Sequence, residues 1–108
     1  MRQTVRPLVA EFIGVFILVF IGGGAMIMNG YQEGALSLGG IAAACGLAYA
    51  IAVTVTMNIS GGHINPAITV GLWTVGRIES RKAVLYVVAQ LLGAVLAAVV
   101  LRDRKSVV

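Results

Sequence analysis

The stretch Ser60-Gly61-Gly62-His63-Ile64-Asn65-Pro66-Ala67-Ile68-Thr69-Val70-Gly71 decides the fold. It is polar and glycine-rich, yet it lies between long apolar segments. Asn is among the best helix N-caps, and Pro is favoured at the first helical position, where its missing N–H is not needed. A helix is therefore predicted to open at Asn65. It has room to run to roughly Gly76, ahead of the charged residues Arg77, Glu79, Arg81 and Lys82. About ten residues at ~1.5 Å each give about 15 Å, half a bilayer core. A polar turn feeding a half-length apolar helix reads as a re-entrant segment. Irregular backbone at that depth is tolerated only where it is buried in protein or lines a water-filled cavity.

The rest of the chain supplies the bilayer context. Of 108 residues, 59% are hydrophobic and 11% charged, which fits a membrane protein and excludes an ordinary soluble domain. The net charge is +4, but the basic residues sit at span ends. That is a topology pattern and not a nucleic-acid footprint. Cys45 is the single cysteine and lies inside an apolar run, so no disulfide or zinc framework is expected. Glu11, His63, Cys45 and Tyr49 are the titratable candidates within apolar sequence. No nucleophile–base pair among them is spaced for catalysis, so neither an enzyme nor a cofactor or metal site is expected.

Taken in order, the chain reads as an all-α membrane protein with three transmembrane helices and one re-entrant half-helix. Residues 1–7 carry Arg2 and Arg6, and the spans cover about 8–28, 39–59 and 83–101, each long enough to cross. The re-entrant unit occupies 60–76. A signal peptide is the alternative for the first span: basic start, apolar middle, small residues Gly22 to Ala25. Against it, the run is long and Glu11 interrupts it. Residues 29–38 form a polar loop and 77–82 a charged turn. Three crossings and one re-entry put Arg2, Arg6, Arg77, Arg81 and Lys82 on one side, which the positive-inside rule makes cytoplasmic. Arg102, Arg104 and Lys105 in the tail oppose that bias. Gly40, Ala44, Ala48 and Ala52 in span two, and Ala89, Gly93 and Ala97 in span three, make smooth ridges for close helix contact. The Asn58-Ile59-Ser60 sequon is read as chance, because it lies at the end of a span.

The twelve-residue stretch 60–71 resembles the first signature of the aquaporin and aquaglyceroporin family. Ala10-Glu11-Phe12-Ile13-Gly14 and Ala89-Gln90-Leu91-Leu92-Gly93-Ala94 match the same family at the expected places. The resemblance covers about residues 7–101. It implies the N-terminal half of a channel made of two inverted repeats. The expected cargo is water or a small neutral solute such as glycerol. The implied setting is an inner (plasma) membrane with the N-terminus cytoplasmic, and the intact protein is expected to be a homo-tetramer.

The resemblance also implies site roles. Asn65, Pro66 and Ala67 form the midplane signature. The carbonyls of Gly61, Gly62 and His63 would accept hydrogen bonds from the permeant, while the His63 ring braces the turn. Glu11 would accept backbone N–H bonds near His63; the alternative is a carboxylate reaching toward the interface. Gln90 reads equally as a second brace or as a simple interhelical hydrogen bond. Where the family carries a bulky filter aromatic this chain has Cys45, and one turn deeper it has Tyr49. That predicts a wide outer filter and a second constriction at Tyr49, with Leu18 facing the same pore. The alternative has Cys45 and Tyr49 both facing neighbouring helices.

The sequence contains no second Asn-Pro-Ala and no second re-entrant helix. Residues 102–108, Arg102-Asp103-Arg104-Lys105-Ser106-Val107-Val108, read as a non-family tail replacing the true loop of a longer protein, as a truncation artefact would. Two other readings remain: an antiparallel homodimer that rebuilds the pore, and a small non-transporting membrane-structural protein.

Overall fold

The computed structural model describes residues 2–31, 34 and 36–107, with side chains described for 3–30, 34 and 36–102. Four helices follow one another: α1 (Arg2–Tyr31), α2 (Ser37–Ser60), α3 (Pro66–Thr74) and α4 (Ser80–Val107). Three segments are long and apolar enough to cross a membrane, Gln3–Gly30, Ser37–Ser60 and Ser80–Arg102. With the short α3 they make an all-helical membrane fold, and no strand occurs among the described residues.

The helix ends depart from the sequence reading in instructive ways. α1 starts at Arg2, so Pro7 lies inside the helix and not ahead of it. Pro7 is buried; in the second turn it forfeits the hydrogen bond that its missing N–H would make to Gln3, and its ring crowds the Gln3 carbonyl. At the other end α1 runs to Tyr31, so the polar loop is shorter than 29–38; Gln32, Glu33 and Ala35 lie outside the described residues. Asn29 acts as a clasp: its Oδ1 accepts the amides of Leu36 at 2.9 Å and Ser37 at 3.0 Å, tying the end of α1 to the start of α2. α4 begins at Ser80, which makes 80–82 helical, and continues through the tail to Val107. Val108 and the side chains of 103–107 lie outside the described residues.

α1 is the central helix, packed on α2 and α4. α2 runs antiparallel to it: Gly22 faces Cys45, Gly14 faces Thr56 and Glu11 faces Ser60. α4 runs parallel: Glu11 faces Gln90, Phe12 faces Gly93 and Gly23 faces Leu101. Small residues make both contacts close. Ala48 and Ala52 on α2 and Ala89, Gly93 and Ala97 on α4 are buried, while Gly40 and Ala44 are half-buried. A Cβ at Gly93 would fall on the carbonyl oxygen of Phe12. Backbones approach this closely in lipid when the interface residues are small.

Candidate functional site

α2 ends at Ser60, and Gly61 follows with φ 93° while its amide bonds the Met57 carbonyl at 3.0 Å. Gly62 is also left-handed, at φ 65°. Two successive positive φ values favour glycine, and they turn the chain back along the helix it has just left. A Cβ at Gly62 would lie 3.3 Å from the Val53 carbonyl oxygen and 3.5 Å from Met57 Cα. Ile64 then packs with Val15 and Ala52 and meets Gly14. These residues stand near the middle of the 30-residue α1. The coil therefore climbs from the level of Glu11 to the mid-depth of the bundle, where α3 begins.

Asn65 caps α3 in extended backbone. Its Oδ1 accepts the Ala67 amide at 2.8 Å, and Pro66 takes the first helical position. The side-chain Nδ2 is thereby turned away from the helix end. α3 descends antiparallel to α4, and Trp73 Nε1 donates to Ser80 Oγ at 2.9 Å where α4 starts. It stops at Thr74; the amides of Gly76 and Arg77 bond the carbonyls of Trp73 and Leu72, a glycine-terminated C-cap with Gly76 at φ 77°.

Glu11 holds the turn in place. It is wholly buried and its two oxygens meet four donors. Oε2 accepts from Ser60 Oγ and from the His63 amide at 3.2 Å. Oε1 accepts from the Ile64 amide at 2.8 Å and from Gln90 Nε2 at 2.7 Å. A carboxylate offers about four lone-pair sites, so this donor set fills it. It also holds Ile64 at φ 41°, a conformation that costs a β-branched residue roughly 1–3 kcal/mol and persists only where neighbours impose it.

A second chain of bonds orients the His63 ring. Gln90 Nε2 donates to Thr69 Oγ1 at 2.9 Å as well as to Glu11. The Thr69 hydroxyl hydrogen is then free for His63 Nδ1, 2.9 Å away. His63 thus accepts at Nδ1 and carries its proton at Nε2, a tautomer assigned from the network. The ring also packs on Tyr86, with centroids 4.9 Å apart, and Tyr86 donates its hydroxyl to the Ser60 carbonyl at 2.8 Å. Gln90 Oε1 is buried with no partner among the described residues. A flipped amide would set that oxygen against Glu11, so the orphan is the lesser cost.

With the side chains spent on bracing, the carbonyls of Gly61, Gly62, His63 and Ile64 accept no hydrogen bond among the described residues. Asn65 and Ala67 are exposed beside them. Ser60, Ile64, Thr69 and Tyr86 join the site without having been singled out. The sequence signals for them were faint: Thr69 stands three residues past Pro66, and Tyr86 stands one turn before Gln90.

Cys45, Tyr49 and Leu18 lie away from this cluster. Cys45 is half-buried, and its Sγ lies 3.2 Å from the place a Cβ on Gly22 would take, so the thiol leans on α1. The register that pairs Gly22 with Cys45 and Val15 with Ala52 puts Leu18 and Tyr49 at one level, toward the far side of the bundle from Glu11. Tyr49 is exposed there and Leu18 half-buried.

The descriptor of the major intrinsic protein family matches residues 1–107. The chain belongs to that family. Aquaporin AqpM of Methanothermobacter marburgensis is 43% identical over 111 residues, covering 87% of this chain and 45% of that protein. Aquaporin Z of Photorhabdus laumondii is 39% identical over 97 residues, 89% of this chain and 42% of that protein. Aquaporin TIP1-2 of Zea mays is 47% identical over 105 residues, 93% of this chain and 41% of that protein. The chain thus spans somewhat less than half the length of these relatives. Members of the major intrinsic protein family are membrane channels and not enzymes. The braced turn carries Asn65, Pro66 and Ala67 in succession.

Proposed function

We propose that the chain supplies the first half of a passive channel for water or small neutral solutes. The row of unbonded carbonyls from Gly61 to Ile64, ending at the Asn65 amide and the tip of α3, carries this reading. A permeant climbing the coil finds acceptors one after another and then a donor at mid-depth. That sequence replaces hydration without forming a covalent bond. The N-terminus of α3 adds about half a positive charge in a medium of low dielectric. Cations are repelled there, and uncharged hydrogen-bonding molecules are not; aquaporin pores with half-helix dipoles are a standard illustration of this exclusion.

Glu11 and Gln90 act in this scheme through the loop they hold, and the His63 ring fixes the direction of its own carbonyl. Leu18 and Tyr49, level with each other beyond the turn, form a narrowing on the far side. The basic residues Arg2, Arg6, Arg77, Arg81 and Lys82 favour a cytoplasmic N-terminus in an inner membrane. The intact assembly is a homo-tetramer in this reading, with the lipid bilayer as its medium.

The test is reconstitution in vesicles and stopped-flow swelling. The chain is assayed as it stands and joined to the second half of the Methanothermobacter aquaporin. Swelling of the joined protein well above bare lipid, abolished by filling the path at Ala67 with Ala67→Trp, supports the reading. Swelling at the bare-lipid rate from a folded, inserted chimera refutes it. If the unjoined chain alone conducts, an antiparallel pair of copies supplies the second half.

A further inference from the structure

The N-terminal halves of α1 and α4 leave between them a shallow groove of about 300 Å³, lined by Leu8, Val9, Phe12, Leu85, Val88 and Leu92. Every one of these side chains is apolar. The two helices run parallel, so the groove opens toward the membrane surface at which both begin. From Leu85 to Leu92 is two turns, so the groove reaches about 10 Å into the hydrocarbon.

The groove's mouth is cationic. Arg81 precedes Leu85 by four residues and shares its face of α4. Arg6 precedes Val9 by three on α1. Both are exposed. Lys82 is engaged elsewhere, with Nζ 5.7 Å from the Tyr86 ring centre. The nearby acid, Glu79, lies ahead of α4, outside the helix that carries Arg81. Glu11 is buried among its four donors. An apolar trough whose two helices each carry an exposed arginine one turn nearer the membrane surface has the polarity of an amphiphile turned inside out.

We infer that this groove is a binding site for an anionic phospholipid. One acyl chain lies along Leu85, Val88 and Leu92, and the headgroup phosphate sits on Arg81 with Arg6 beside it. Guanidinium suits this task because its planar fork can meet two phosphate oxygens at once. A second copy of the chain lying parallel in the groove would bring like guanidinium groups together, which disfavours it as the occupant. The site is independent of the re-entrant turn, so it stands or falls apart from transport.

Native mass spectrometry of the chain, released from micelles and titrated with phosphatidylglycerol or phosphatidylcholine of matched acyl chains, tests it. The expected result is one preferred phosphatidylglycerol per chain, bound about fivefold more tightly than phosphatidylcholine. Arg81→Gln removes most of that preference and leaves phosphatidylcholine binding unchanged. Val88→Trp, at an exposed groove position, displaces both lipids; helical circular dichroism shows that each variant is still folded. Equal affinity for the two lipids, or a preference that survives combined Arg6→Gln and Arg81→Gln, overturns the assignment. Dimers in place of lipid adducts overturn it as well, giving the groove to a second copy.

Discussion

The Cγ2 methyl of Ile64 lies 2.5 Å from the point that a Cβ on Gly14 would occupy, with Thr56 Cγ2 at 3.3 Å from the same point. The re-entrant turn therefore rests on bare α1 backbone. Gly14→Ala sets a methyl against a branched side chain that is already held at φ 41°. Overpacking of this kind costs about 1–3 kcal/mol. Thermal denaturation followed by helical circular dichroism in micelles should show a clear loss for Gly14→Ala. Gly46→Ala, where a Cβ meets nothing within 4 Å, should be neutral or slightly stabilising. The Gly14→Ala loss should shrink in an Ile64→Ala background; strictly additive losses would show that the two positions do not share a contact.

Replacing Glu11 by Gln tests the clamp without changing its size. Each carboxylate oxygen accepts two donors. A glutamine must turn its NH₂ toward one of those pairs, so donors face donors whichever way it flips. Leaving buried donors unpaired costs about 1–3 kcal/mol each. Glu11→Gln should lower the melting midpoint more than Gly14→Ala does, and Glu11→Asp, which keeps the charge but shortens the reach, should fall between Gln and wild type. Amide hydrogen exchange reads the local effect. The His63 and Ile64 amides should lose protection first, and equal loss along all of α1 would point to general unfolding instead.

Some of this architecture is legible in the sequence for physical reasons. The start of the half-helix is written in Asn65 and Pro66, whose cap and φ preferences agree, and its stop in Gly76. A carboxyl group inside an apolar span needs donors, so Glu11 announces a buried polar partner. Which donors it finds is not legible, because Ser60 and Gln90 lie 49 and 79 positions away along the chain. The helix ends are misread where a residue has two uses. Pro7 suggests a boundary but sits within an early turn, and Asn29 suggests a loop but acts as a clasp. The facing of Cys45 and Tyr49 is the least legible feature. α2 is apolar on every side, and a helix of that kind gives no periodic signal for which face meets protein. The thiol's contact with Gly22 emerges only from the packing.

Thr69 is a small residue with a disproportionate role, since it links Gln90 to the His63 ring. Thr69→Val keeps the shape and deletes the hydroxyl. His63 Nδ1 and one Gln90 N–H then lose their partners inside the bundle. Thr69→Ser restores the hydroxyl and leaves a methyl-sized gap. Serine should therefore cost less than valine in the same melting assay, despite valine's better fit. In nitrogen-edited NMR of labelled histidine, the wild type and Thr69→Ser should show the Nε2–H tautomer, and Thr69→Val a mixture. A wild-type spectrum dominated by Nδ1–H would reverse the direction of the Thr69 bond.

Asn65 combines a cap and a donor, and two substitutions separate them. Asn65→Ala removes the bond to the Ala67 amide, a loss of about 1 kcal/mol in helix stability. It also deletes the Nδ2 donor at mid-depth. Asn65→Asp keeps the cap and strengthens it, because a negative charge suits a helix N-terminus. Yet it places that charge where the proposed path must repel cations. The two variants should therefore diverge when the chain is joined to a second channel half in vesicles. Asn65→Ala should swell more slowly than wild type and remain proton-tight, while Asn65→Asp should be at least as stable as wild type but leak cations under an imposed potential. A pH-sensitive dye trapped inside reads proton entry and a sodium-sensitive dye reads the metal ion. Equal cation exclusion by Asn65→Asp and wild type would show that the α3 tip does not set the barrier.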